Sequence, residues 1–284
     1  MGTFFLILRR AIIATQIDGC LGTAKAAAYS GLLCLFPVLT SITTLLAEAN
    51  AKAVSSRFAQ ILFDIVPPGT QELILQSVTV TGTRPMTVIF VATGLSIWGA
   101  SGLMASLMEG FQSAYKLPSG RPLVKQRVVA IMLVVGTVLP IVAASALVLF
   151  GDQTERSVLQ WLGVLPAGNQ LRGSVVIAGL VIRYLVEFGT IIIVMGVMYY
   201  FGPNRKQRWD DILPGACMAT ILWLLATQGF AWYVRNLANY NVLYGSIGGV
   251  IALLVWIYLL SVIVLFGCQF NAERERLGDL YSVN

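Results

Sequence analysis

The chain of 284 residues contains no histidine, and only 11% of its residues are charged. The first absence removes the commonest metal ligand and the usual general base near neutral pH. The second leaves too little charge to solvate a water-soluble domain, in which about a quarter of residues are charged. Cysteine is scarce as well. Cys20, Cys34, Cys217 and Cys268 lie far apart with no C-x-x-C pair, so zinc chemistry is excluded, and thiols beside apolar runs act as small hydrophobes. Nucleophile-elbow, phosphate-loop and zinc-protease motifs are all missing, and no metal or cofactor is expected. Long polar segments are missing too. The longest, Glu48 to Pro85, is too short for a second folded unit. The expectation is one integral membrane domain over residues 1–284 without a catalytic module.

What the chain does have is apolar length. Hydrophobic residues make up 57% of it, gathered into five long stretches and a sixth interrupted by Arg183 and Glu187. Val128 to Phe150 runs without a charge, and about 20 apolar residues suffice to cross a hydrocarbon core of about 30 Å. Spans are predicted near residues 26–47, 87–108, 128–150, 174–201, 212–234 and 247–270. They should be helices, because lipid offers no partner to unpaired backbone groups and barrel-type alternation is absent. The predicted fold is therefore all-α, a polytopic bundle of six transmembrane helices with both termini on one side.

The basic residues choose the side. Of the 19 Lys and Arg, twelve fall in the N-terminal segment, the second and fourth loops and the tail. Six fall on the opposite face. By the positive-inside rule both termini are expected to be cytoplasmic. Although the net charge is +6, no basic cluster interleaves with aromatics, so membrane lipids rather than nucleic acid are the expected partner. The first apolar run lacks a short signal-type core ending in a cleavage pattern and reads as retained. Thr3 to Ile17, too short to span, should lie along the cytoplasmic interface, and Val54, Phe58, Ile61, Leu62 and Ile65 predict a second amphipathic helix in the first outer loop.

Arg183 and Glu187 are the only ionisable side chains well inside a predicted span, and each is disfavoured by about 2.5–3.5 kcal/mol at a helix centre on insertion scales. Their i, i+4 spacing puts them on one face with Thr190. They read either as a structural ion pair or as the lining of a wet cavity for an anion, a headgroup or a proton. Tyr29 in the hydroxyl-rich first span, and Tyr240 and Tyr244 near an interface, are further cavity candidates. Pro37 and Pro140 read first as kinks, and Gly245-x-x-x-Gly249 as a close-packing motif. Asp210 and Asp211 suit a helix N-terminus. Glu273 and Glu275, alternating with Arg274 and Arg276, look like a solvated tail.

The stretches Ala26 to Leu39 (AAAYSGLLCLFPVL), Phe201 to Ala216 (FGPNRKQRWDDILPGA) and Tyr240 to Arg276 closely resemble the YihY/virulence factor BrkB family of bacterial inner-membrane proteins. The similarity runs from about residue 5 to 276. Tyr29, Pro37, Pro203, Pro214, Gly215, Tyr240, Tyr244, Gly245, Trp256, Tyr258, Gly267 and Asn271 match the family's recurrent pattern. One departure stands out: where many members carry a carboxylate, this chain has the amide Gln269. The resemblance implies six membrane helices with both ends inside and no settled biochemical activity. Some members carry a ribonuclease BN label, which the sequence argues against, since no metal-holding carboxylates or acid/base pair accompany a basic groove. The reading that follows is a non-enzymatic membrane protein that moves or binds an amphiphilic or anionic solute, lipid included, in a polar cavity, with oligomers permitted. The alternative is a scaffold that organises envelope proteins.

Overall fold

A computed structural model describes residues 2–48, 86–118, 121–161, 173–236 and 246–282. Seven α-helices account for nearly all of these: α1 (Gly2–Ile17), α2 (Cys20–Glu48), α3 (Met86–Ala114), α4 (Leu123–Trp161), α5 (Gly173–Phe201), α6 (Trp209–Asn236) and α7 (Ser246–Ser282). No strand occurs among the described residues. The last six helices each contain a stretch long and apolar enough to cross a membrane. The amphipathic segment expected at Val54 to Ile65 lies outside the described residues, as do Tyr240, Tyr244 and Gly245.

The helix ends follow from local chemistry. Gly19, with φ of 72°, takes the left-handed conformation that separates α1 from α2 and costs least without a Cβ. At the end of α3, Lys116 takes the same conformation with φ of 53°. Its N–H donates to Ser113 O at 3.0 Å and that of Leu117 to Gln112 O at 3.1 Å. Two carbonyls left open at the helix end are thereby satisfied in a Schellman arrangement, which offsets the αL strain of a non-glycine residue. Asp210 and Asp211 stand in the first turn of α6, as the dipole favours.

Helix α7 is the axis of the bundle. It packs on α1, α2, α3 and α6, while α3–α4, α4–α5 and α5–α6 contacts close the far side. From Ser261 to Glu273 nearly every residue of α7 is buried, which is why its hydrophobicity has no preferred face. Close approach depends on missing side chains: a Cβ on Gly99 would stand 2.6 Å from Cys34 Cβ of α2, and one on Gly267 would stand 2.7 Å from Ala219 Cβ of α6. Such small-residue contacts replace the hydrophobic effect as the force between helices in lipid. Outward, Phe90, Met132, Leu139, Leu225 and Trp232 are exposed, as side chains bathed in acyl chains would be.

Helix α1 lies against α7 through Ile7, Ala11, Phe270 and Leu277. Its other side exposes Phe5, Ile12, Ile13 and Ile17 together with Arg9 and Arg10, a mixture suited to a headgroup boundary. The tail differs from its sequence reading. Helix α7 continues unbroken to Ser282, and Glu273, expected to be solvated, is only 7% exposed. The reason is tertiary: Glu273 pairs with Arg276, whose Nη2 donates to Ala114 O at 2.7 Å, clamping the tail onto the end of α3.

Candidate functional site

The residues nominated from sequence do not form one cluster. Glu187 lies on α5 and is exposed, with Tyr184, Leu185 and Val186 beside it also exposed. Thr190 is half-buried and donates to Val186 O at 2.7 Å, the ordinary back-bond of a hydroxyl inside a helix. The side chain of Arg183 lies outside the described residues. Tyr29, on α2, is 62% exposed. Pro37 and Pro140 sit inside α2 and α4, neither ending its helix, and Ser41, which donates to Pro37 O, meets Ser96 of α3 at 3.3 Å. Gly249 is buried.

What the structure does bring together is a polar network at the end of the bundle where α1 meets α2, α3 meets α4 and α5 meets α6. In α6, Pro214 withholds the donor that Asp210 O would otherwise accept, and Arg274 Nη1 approaches that carbonyl at 3.4 Å. Beside the proline, Asn271 of α7 accepts from Gly215 N–H at 2.7 Å and donates to Ile212 O at 2.9 Å. It thus splints the interrupted turn from both sides. A Cβ on Gly215 would overlap Gly267 O and the Asn271 amide, so two glycines, a proline and an asparagine form one unit. Tyr199 of α5, fully buried, donates to Val264 O at 2.7 Å.

The loops are fastened to the same end. Arg121 donates to Gly202 O at 2.8 Å, Phe201 O at 2.9 Å and Pro203 O at 3.2 Å, capping the carbonyl end of α5 with a cation as its dipole favours. Burial pulls the Arg121 guanidinium somewhat below its ordinary pKa. Arg205 bonds Glu275 at 2.6 Å and sits 4.3 Å over the Tyr115 ring. Burial pushes the Tyr115 phenol well above its usual range, neighbouring Cys268 adding to the rise and Arg205 opposing it. Gln269, completely buried, donates through Nε2 to Asp18 Oδ2 at 2.8 Å, while its Oε1 has no partner.

Sequence reasoning flagged Gly215, Gly267, Asn271 and Gln269 only through family resemblance, and it missed Asp18, Arg121 and Arg205 as partners. Asp18 and Gln269 are far apart in the chain, so no local spacing could have joined them.

This geometry corresponds to a known group. The model for the virulence factor BrkB family matches residues 12–280, which contain the whole network. The chain belongs to the BrkB family. Among its relatives, the ribonuclease-like protein YfkH of Bacillus subtilis (strain 168) is 30% identical over 265 residues, covering 91% of this chain and 93% of the relative. A UPF0761 membrane protein of Alteromonas mediterranea is 27% identical, covering 89% of this chain and 81% of its own length. One from Vibrio cholerae is 38% identical over 85 residues, 29% of each chain. No solved structure matches. The chain is thus a multi-pass membrane protein of the BrkB and UPF0761 group.

Proposed function

We propose that this BrkB-family protein binds or moves an amphiphilic or anionic solute, lipid among them, through an opening beside α5, in a bacterial inner membrane with both termini cytoplasmic. One observation carries the reading. Val181, Ile182, Tyr184, Leu185, Val186 and Glu187 are all exposed, and at 100° per residue these six positions cover every side of the helix. On this reading one side faces lipid and the opposite side borders the proposed opening. An ionisable carboxylate on that turn, about 21 Å along α5 from Phe201 at 1.5 Å per residue, suits polar solute better than acyl chain.

The test is reconstitution in vesicles with headgroup-labelled phospholipid in both leaflets and a membrane-impermeant quencher outside. Wild-type protein should exchange lipid between leaflets, and Arg183→Leu/Glu187→Leu should cut the rate at least fivefold. Undiminished exchange by the double variant would place the path elsewhere. A scaffold is favoured instead by Gly94, Gly136 and Gly229, whose Cβ positions face open space and which therefore offer close approach to another membrane helix. Protein that moves nothing yet keeps a partner through detergent extraction would support it. The ribonuclease-like name of the Bacillus relative suggests a third activity, which we do not adopt. Asp18, Glu273 and Glu275 are engaged by Gln269, Arg276 and Arg205, and hydrolysis of a phosphodiester needs carboxylates free to hold metal or move a proton.

A further inference from the structure

Arg127 stands at the start of the second turn of α4. A basic residue near a helix end ordinarily extends its side chain toward the headgroups and water. This one reaches across to α3. Its Nη2 donates to Trp98 O at 2.9 Å, and its guanidinium lies 4.1 Å over the Trp98 ring. Neighbouring Gln126 instead meets Glu109 at 3.2 Å. Glu109 is seven residues nearer the loop end of α3 than Gly102, or about 10 Å along the helix. No acidic side chain among the described residues pairs with Arg127, and its Nε is buried without a partner. A guanidinium with no carboxylate partner among the described residues thus stands inside the apolar span Leu123–Ala144.

The space beside it is small and polar, wide enough for a methyl group at ordinary contact distances. Gly102 leaves a notch: at the point where its Cβ would be, Ser30 Oγ of α2 is 3.6 Å away and Arg127 Nη1 is 3.8 Å away. An oxygen lodged against Gly102 Cα would have a hydroxyl on one side and a guanidinium edge on the other, both able to donate. Around the notch, Tyr29 and Leu33 on α2 and Trp98 and Leu95 on α3 are exposed and apolar. Lys125, also on α4, is exposed and serves as a charge control.

From this geometry we infer that Arg127, Ser30 and the Gly102 notch form a phosphate site, with Trp98 holding the guanidinium in place. Its ligand is a phosphate mono- or diester anion, carried either by a phospholipid headgroup or by a free ion. The site is separate from the opening beside α5 and does not depend on transport.

The full-length protein, delipidated in mild detergent, is titrated with phosphatidylglycerol, and with diacylglycerol as the lipid without phosphate, and binding is counted by native mass spectrometry. Phosphatidylglycerol should bind at least tenfold more tightly than diacylglycerol. Arg127→Gln should remove most of that preference, and Lys125→Gln should leave it unchanged. Gly102→Ala adds a methyl at ordinary contact distances, so the variant folds with Arg127 intact. It should weaken phosphatidylglycerol binding about threefold or more by filling the notch. Inorganic phosphate at millimolar concentration is the second arm: displacement of bound lipid supports a free anion as ligand, and its failure to displace supports a headgroup whose chains contribute. Equal binding of the two lipids would overturn the inference. So would undiminished preference in Gly102→Ala and Arg127→Gln, or an equal loss in Lys125→Gln, which marks diffuse attraction in place of a built site.

Discussion

Asn271→Ala isolates the splint that holds α6 to α7. The side chain is 2% exposed and makes two hydrogen bonds, from Gly215 N–H and to Ile212 O. Alanine removes both partners at once in a site that water does not reach. Ile212 O keeps one lone pair for its own helix, so its loss is the net value of an ordinary hydrogen bond, about 1 kcal/mol. Gly215 N–H loses the acceptor placed for it, and a buried unpaired donor costs about 1–3 kcal/mol. The sum is about 2–4 kcal/mol, which for a chain of this size corresponds to about 3–7 °C in Tm on the scale of soluble domains.

Intrinsic tryptophan fluorescence during heating in detergent reads this directly, and a double-mutant cycle with Pro214→Ala tests the cause. Restoring the N–H at position 214 gives Asp210 O its helical donor and regularises the turn. Asn271→Ala should then cost less in the Pro214→Ala background than alone, with a coupling of at least about 0.5 kcal/mol. Two results refute the reasoning: a Tm for Asn271→Ala equal to that of wild type, or strict additivity with Pro214→Ala, which means that Asn271 stabilises something other than the interrupted turn.

Gln269→Glu sets a second carboxylate against Asp18 Oδ2. The pair must share a proton, which raises one pKa in the folded state above its unfolded value. Stability is therefore retained at low pH and lost as pH rises through the raised value, so Tm of the variant should fall between pH 5 and pH 8 relative to wild type. Arg121→Ala removes three donors from the carbonyls that end α5, and the segment Phe201 to Arg208 should gain amide hydrogen exchange and protease sensitivity, whereas Arg9→Ala on the exposed side of α1 should change neither. Tyr199→Phe deletes one buried hydrogen bond to Val264 O and leaves that carbonyl its helical partner; the cost should be about 1 kcal/mol, measured as a small drop in Tm. Tyr115 stays protonated in the folded protein at pH values where an unfolded tyrosine ionises. Stability should decline as pH rises past the ordinary tyrosine value of 10.0, with less decline in Tyr115→Phe.

The spans were legible because a bilayer imposes a length that soluble helices do not need, and each predicted stretch overlaps a helix that meets it. Their ends were less so. The first span begins at Cys20 within α2 and the last runs on to Gly278, since polar residues there are accommodated by neighbouring protein. Asp210 and Asp211 could be placed at a helix start from charge alone. Glu273, Arg274, Glu275 and Arg276 could not be placed, because alternating charges read the same whether water or Ala114, Asp210 and Arg205 receive them. Arg127 illustrates the same limit: beside an apolar run it reads as a headgroup contact, and only the missing Cβ of Gly102 and the position of Trp98 reveal a guanidinium turned inward.

The loop end of the bundle is built in a way that bears on the proposed mechanism. At the loop end, opening a passage would break the Arg121 bonds to three carbonyls, the Arg205–Glu275 pair, the Asp18–Gln269 bond and the Asn271 splint together. These groups share helices and loops, so they give way as one cooperative unit or not at all. Toward the middle of α5, Val181, Ile182, Tyr184, Leu185, Val186 and Glu187 are exposed, so among the described residues this stretch is packed less tightly than the loop end. A conformational change follows the part with fewer contacts to break. On the function proposed above, the loop end would serve as the fixed frame and any movement of helices would belong to the half of the bundle that contains Glu187. A solute path built on this frame enters sideways from lipid or from the far end, and it does not require the two ends to open in alternation.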